Sequence, residues 1–164
     1  MVPKNIAIDP GSEKSAYLVF SGEKKILDFG LTENKNLLEL VLSARDDRSA
    51  HLTVEVFKSY GNIIGDTVLE TCVFIGRLLQ AWNDDERVTL YTRKHVVAHI
   101  CQNPRASDAN IRQALLDRFE RTGGGKNPSV GTKSKPGPLY GVKKDIWSAL
   151  ALALTYHDEN NFLF

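Results

Sequence analysis

Cysteine is almost missing from this chain: its 164 residues hold two, Cys72 and Cys101. Two lone thiols make neither a disulfide framework nor a zinc pattern, so a reducing, cytoplasmic setting is expected. Long apolar runs are absent as well. The longest, Ile146 to Tyr156, falls far short of the roughly 20 residues a membrane span needs. The opening MVPKNIAIDPG has neither an apolar signal region nor a cleavage site. An excess of one charge is also lacking, since 21 Lys and Arg meet 20 Asp and Glu for a net +1. That excludes a histone-like tail or an acidic mimic, though not a local basic surface. What is left, 42% apolar and 25% charged, is the composition of one ordinary globular domain, read here as 1–164. A chain of this size buries about two-thirds of its unfolded surface and needs no disulfide or metal to hold a core.

The average hides one asymmetry. From Arg121 to Lys144 the chain carries Arg121, Lys126, Lys133, Lys135, Lys143 and Lys144 and no acid, leaving fifteen bases against twenty acids elsewhere. The same window holds Gly123-Gly124-Gly125, Gly131, Pro136, Gly137 and Pro138. It reads as a flexible basic loop over about 121–141. Such a loop is either a solvated linker or an arm that orders on phosphates.

Elsewhere the pattern alternates between strands and helices. Strands are expected over Asn5–Asp9, Ala16–Phe20, Lys24–Leu31, His51–Phe57 and Val88–Tyr91. Helical spacing appears over Asn36–Arg45, Asp66–Trp82, Arg93–Cys101, Asp108–Glu120 with Ser107 as its N-cap, and the very apolar Val142–Tyr156. On Asp66–Trp82 the inward face is expected to carry Val68, Leu69, Cys72, Ile75, Leu78 and Leu79. Three consecutive strands make an antiparallel meander, and strands 4 and 5, which alternate with helices, run parallel to strand 1. The fold class is α/β, with a five-stranded mixed sheet flanked by helices.

Three carboxylates stand where burial disfavours them. Asp9 ends the first strand before Pro10-Gly11, Glu55 lies between Val54 and Val56, and Asp145 opens the last helix. With period 2 along each strand, Asp9 and Glu55 lie side by side if their strands are neighbours. Clustered carboxylates repel unless a divalent cation joins them, and oxygen-only ligands favour Mg²⁺ or Mn²⁺. Each residue also has a plainer reading. Asp-Pro-Gly is a common turn, Glu55 can face solvent from a one-sided sheet, and Asp145 suits a helix start.

Ile6-Ala7-Ile8-Asp9-Pro10-Gly11-Ser12 with Tyr17 resembles the first motif of RuvC-type Holliday-junction resolvases, a branch of the RNase H-like nucleases. Thr53-Val54-Glu55 is similar to their second acidic strand, Tyr91 to Ile111 to the stretch after their fifth, and Asp145 to Ala153 to their closing motif. The resemblance implies an RNase H-like fold and metal ligation by Asp9, Glu55 and Asp145. It further implies two Mg²⁺ ions, replaceable by Mn²⁺, that activate water and stabilise the leaving 3′-oxygen. The implied activity is paired nicking of four-way DNA by a homodimer, leaving 5′-phosphates, with no nucleotide cofactor and no membrane partner.

The chain also departs from the family pattern. Ser148 stands at the second ligand position of the closing motif, where a hydroxyl holds an ion weakly or through water. Two family lysines near DNA fall on Val97 and Asp108, with Lys94, Arg105, Lys126, Lys133, Lys135, Lys143 and Lys144 as candidate replacements. Phe57 and Tyr60 are the candidates for stacking in the junction, or else core residues. The i, i+4 pair His95 and His99 lacks the Glu of a zinc-protease motif and reads as an outward helical face. Gly123-Gly124-Gly125-Lys126 lacks P-loop spacing. The competing readings are a non-catalytic nucleic-acid-binding domain of the same fold, and a nuclease acting on other branched DNA or on RNA. A sugar kinase or chaperone-like ATPase needs two such lobes and over twice this length.

Overall fold

Along the first strand the side chains split between two faces, and that split organises the molecule. The computed structural model describes residues 3–160. Strand β1 (Lys4–Asp9) pairs antiparallel with β2 (Lys14–Ser21), which pairs antiparallel with β3 (Ile26–Glu33). On its other side β1 runs parallel to β4 (Ala50–Val56), and β4 runs parallel to β5 (Val88–Thr92). The order is therefore β3-β2-β1-β4-β5, the mixed sheet expected.

Each face of the sheet has its own apolar core. Ile6, Ile8, Leu52 and Val54 pack with Leu37 and Val41 of α1 (Asn34–Ala44) and with Phe74, Ile75, Leu78 and Trp82 of α2 (Asp66–Trp82). On the opposite face Ala7, Ala16, Leu18 and Phe20 meet α5 (Ile146–Glu159), supported by α3 (Arg93–Cys101) and α4 (Asp108–Leu116). Helix α5 has no solvent face over most of its length, with every residue from Ala149 to His157 buried. Its apolar composition follows from that position.

Ser107 caps α4 as expected. Its hydroxyl accepts from Asn110 N at 3.3 Å, and Asn110 Oδ1 accepts from Ser107 N at 3.1 Å, a reciprocal capping box. Helix α4 ends at Leu116, and a turn rather than helix carries the chain to Phe119, with Phe119 N donating to Leu116 O. His95 and His99 are tied to the end of α5, His95 Nε2 lying 2.6 Å from Glu159 Oε1 and His99 Nε2 lying 2.9 Å from Asp158 Oδ2.

Two expectations fail in detail. Leu69 and Cys72 of α2 are exposed, because the buried stripe runs through Phe74, Ile75, Leu78 and Trp82. The last helix begins at Ile146, since Lys144 takes a left-handed φ of 49° and a turn precedes Asp145. Segment 121–141, read from its composition as a flexible basic loop, folds back on itself. Gly123 N donates to Pro128 O at 2.8 Å, Gly124 N to Lys135 O at 2.8 Å and Gly137 N to Val130 O at 3.0 Å. A Cβ on Gly131, whose φ is 77°, would stand 2.3 Å from Gly137 N, so this glycine permits a close backbone crossing. Leu139 and Ser129 of the segment are buried. Among the described residues no helix is long and apolar enough to cross a membrane.

Candidate active site

The β1–β4 ladder pairs Ala7 with Thr53 and Ile8 with Val54. One rung further come Asp9 and Glu55, on the Ala7–Thr53 face that α5 covers. The chain turns sharply after Asp9. Asn34 Nδ2 donates to Gly11 O at 2.9 Å and to Ser12 O at 3.0 Å, while Gly11 N donates to Ser15 Oγ at 3.1 Å. A Cβ on Gly11 would lie 2.3 Å from Lys14 O, so the turn requires glycine there.

Glu55 does not face solvent. Its side chain is 16% exposed, and its Oε2 is buried and accepts no hydrogen bond. Burial, and then the neighbouring Asp9, push its carboxyl up to about 7, against the partial relief that Arg93 gives. Asp9 rises to about 6, from burial first and the charge of Asp145 second, with Arg93 and a hydrogen bond from Ser148 acting the other way. Asp145 occupies the N-cap position of α5, yet its carboxylate makes no capping hydrogen bond. It is exposed and left available to a ligand. Asp9 thus links the other two, its charge acting on Glu55 and that of Asp145 acting on it.

One residue of the site had no signal in the sequence. Thr92 ends β5 and its hydroxyl accepts from His95 N at 3.3 Å, capping α3 and making Arg93 the first helical residue. From there the Arg93 guanidinium donates to Ser148 Oγ at 3.0 Å and to Asp108 Oδ1 at 2.7 Å, and its Nη1 lies 3.9 Å from Glu55 Oε2. Arg93 thus joins β4 to the first turn of α5. Asp108 is its ion-pair partner.

The donors are all oxygen, which suits a hard divalent cation. Glu55 Oε2 is the observation that fits one, being a buried oxygen without a hydrogen-bond donor. Among the described residues, no three His, Cys, Asp or Glu side chains converge closely enough to enclose an ion. Asp9 and Glu55 form the inner pair, and Asp145 stands at the rim.

A cleft leads away on each side. One is lined by Asp9, Glu55, Phe57, Lys58, Tyr60, Arg93 and Lys94. Tyr60, at φ 48°, is 57% exposed and Phe57 is 46% exposed, so neither is a core residue. The ammonium groups of Lys58 and Lys94 lie 5.3 and 5.4 Å from the Tyr60 ring centroid. The other cleft is lined by Arg93, Asp108, Arg112, Lys144, Asp145, Trp147 and Ser148, with Arg112 over the Trp147 ring at 5.1 Å. Arg93 borders both. Lys143 faces a separate depression beside Phe29 and Leu31. Arg105, Lys126, Lys133 and Lys135 line neither cleft.

No protein-family profile and no curated protein matches the sequence. Two solved structures of RuvC from Thermus thermophilus resemble the chain along nearly its whole length. One has a TM-score of 0.64 at 16% identity and covers 98% of this chain and 96% of that one. The other, RuvC in complex with a Holliday junction substrate, has the same score and identity and covers 93% and 92%. At that identity the likeness is one of architecture. Together with the strand order and the final helix laid across it, it shows that this chain has the RuvC fold, an RNase H-like architecture.

Proposed function

We propose that the protein is a divalent-metal-dependent endodeoxyribonuclease selective for four-way DNA junctions, cutting two strands symmetrically as a homodimer and leaving 5′-phosphates. The observation that carries this reading is the placement of Asp9, Glu55 and Asp145 at one end of the β1–β4 pair and the start of α5, within a RuvC fold. Mg²⁺, or Mn²⁺ in its place, would be held by Asp9 and Glu55 with Asp145 at the rim, and would supply charge stabilisation for an in-line attack on phosphorus. In that reaction a water oxygen bonds to phosphorus, the bond from phosphorus to the 3′-oxygen breaks, and that oxygen leaves as a hydroxyl. Asp9 and Glu55 must both be ionised to bind a cation, so activity rises through the neutral range in which their raised carboxyls titrate.

The exposed Phe57 and Tyr60, flanked by Lys58 and Lys94, form a platform on which an unstacked base and its phosphates fit. Lys144 serves phosphates in the opposite cleft. Arg105, Lys126, Lys133 and Lys135 contact DNA arms farther away. The dimer has a matching surface on α2, where Leu69 and Val73 are 53% and 67% exposed, with the exposed Cys72 between them. Gly76 continues the strip, and a Cβ there would meet nothing, leaving room for a second helix.

Arg93, bonded to Ser148 inside the acidic site, favours a second reading in which the domain binds junctions without cutting them. One experiment separates the two: the purified protein is incubated with a labelled four-way junction and Mg²⁺, with matched linear duplex alongside. Paired nicks on the junction alone support the nuclease. Retention of the junction without any nick supports the binding domain, and indifference to branching overturns both.

A further inference from the structure

Position 148 and residue 93 explain one another. By its resemblance to the RuvC-type closing motif, Ser148 stands at the position of a second carboxylate ligand, and its hydroxyl accepts a hydrogen bond from the guanidinium of Arg93 at 3.0 Å. The same guanidinium lies 3.9 Å from the buried, otherwise unpartnered Oε2 of Glu55. Arg93 and Lys94 are the first two residues of α3, which has no acid in its first turn. Cations are disfavoured at that end of a helix. For Arg93 the compensation lies across the cleft, in the charge of Glu55 and Asp9. Asp108 contributes little to holding the group, because its side chain is 90% exposed and such pairs are weak.

We propose that the Arg93 guanidinium takes the place of the second divalent cation, so that this chain holds one ion where two are expected. This rests on the nuclease reading above and adds to it the source of the second positive charge. A guanidinium does not deprotonate in a protein. Arg93 therefore neutralises charge on the departing 3′-oxygen by hydrogen bonding, and the proton that oxygen takes up comes from solvent. Its planar fork suits two phosphate oxygens at once, which an ammonium group does not reproduce. Ser148 in turn is suited to its position because a hydroxyl accepts from Arg93 without drawing in another ion. Ser148→Asp alone then gives an Arg93–carboxylate pair and no additional ion.

The test is a Mn²⁺ titration of the DNA-free protein followed by electron paramagnetic resonance, with thermal melts in EDTA to confirm folding. The wild type, Arg93→Lys and Ser148→Asp should each bind one Mn²⁺ per chain, and Arg93→Ala combined with Ser148→Asp should bind two. On the junction, Arg93→Ala should lower the cleavage rate by about 100-fold, extra Mg²⁺ should not restore it, and Arg93→Lys should restore it in part. Two ions on the wild type overturn the inference even if the double variant fails to fold. One ion on a folded double variant also overturns it. No Mn²⁺ on the wild type removes the metal-dependent reading itself, and this inference with it.

Discussion

The Glu55 carboxylate should destabilise the metal-free protein at neutral pH, and the size of the effect follows from its surroundings. Its carboxyl moves from an ordinary 4.5 up to about 7 because burial, and then Asp9, disfavour the ionised form. At about 1.4 kcal/mol per pH unit this amounts to about 3 kcal/mol. Below pH 4.5 the folded and unfolded chains both carry the proton, and Glu55 costs nothing. Between 4.5 and 7 only the folded chain holds it, so stability falls as pH rises. Above 7 both have lost it and the full penalty is present. Glu55→Gln should therefore melt higher than wild type at pH 8 in EDTA, by about 6–10 °C for a chain of this size, and should match it at pH 4. Asp9→Asn should recover part of the same gain, since Asp9 is the second cause of the Glu55 displacement. Adding Mg²⁺ at pH 8 should raise the wild-type melting temperature and leave Glu55→Gln nearly unmoved. The reasoning is refuted if Glu55→Gln in EDTA is no more stable than wild type at pH 8, or keeps an undiminished advantage at pH 4.

Other perturbations separate the parts of the site. Asp9→Asn, Glu55→Gln and Asp145→Asn should each abolish junction cleavage while electrophoretic binding in Ca²⁺ persists; near-wild-type cutting by any one removes that residue from the ligand set. Replacing Lys126, Lys133 and Lys135 with Ala should weaken junction binding and flatten its salt dependence by up to about three slope units, with the melting temperature nearly unchanged. Tyr60→Ala should lower junction affinity by about 1–3 kcal/mol in a titration, the worth of one base stacked on an aromatic ring, and affect linear duplex less. Val73→Asp should shift the species seen by sedimentation from dimer to monomer without changing the circular dichroism spectrum.

What the sequence made legible was whatever had a local period. The alternation in Asn5–Asp9 and His51–Phe57 placed Asp9 and Glu55 on faces that coincide once β1 and β4 pair, and strand 5 and helices α2 and α3 lay close to their observed limits. Non-local information was missing. Nothing in the run Tyr91-Thr92-Arg93 says that the third residue reaches Ser148, 55 positions away. On α2 the apolar residues exceed what one face can bury, so the wheel alone did not decide between the Leu69–Cys72 strip and the Phe74–Trp82 stripe. Val142 suggested helix because it is apolar, but it is buried as part of the turn that follows Leu139. Glycines 123 to 137 signalled freedom from composition, and the fold uses them for backbone crossings that only neighbours distant in sequence define.

The pairing of β1 with β4 also acts as a ruler. Asp9 and Glu55 rise from adjacent strands, so their backbones are separated by the sheet's own spacing of about 4.8 Å, which no side-chain substitution can alter. The third carboxylate has no such constraint. Its height above the sheet is set by how closely α5 lies on β1 and β2, and the fully buried Ala149 and Ala153, four residues apart on one face of the helix, leave room for a close approach. A larger residue at Ala149 or Ala153 would lift the start of the helix and carry Asp145 away from a pair that stays in place. The placement of Asp145 relative to that pair is thus set from inside the hydrophobic core, by methyl groups that never meet the carboxylate.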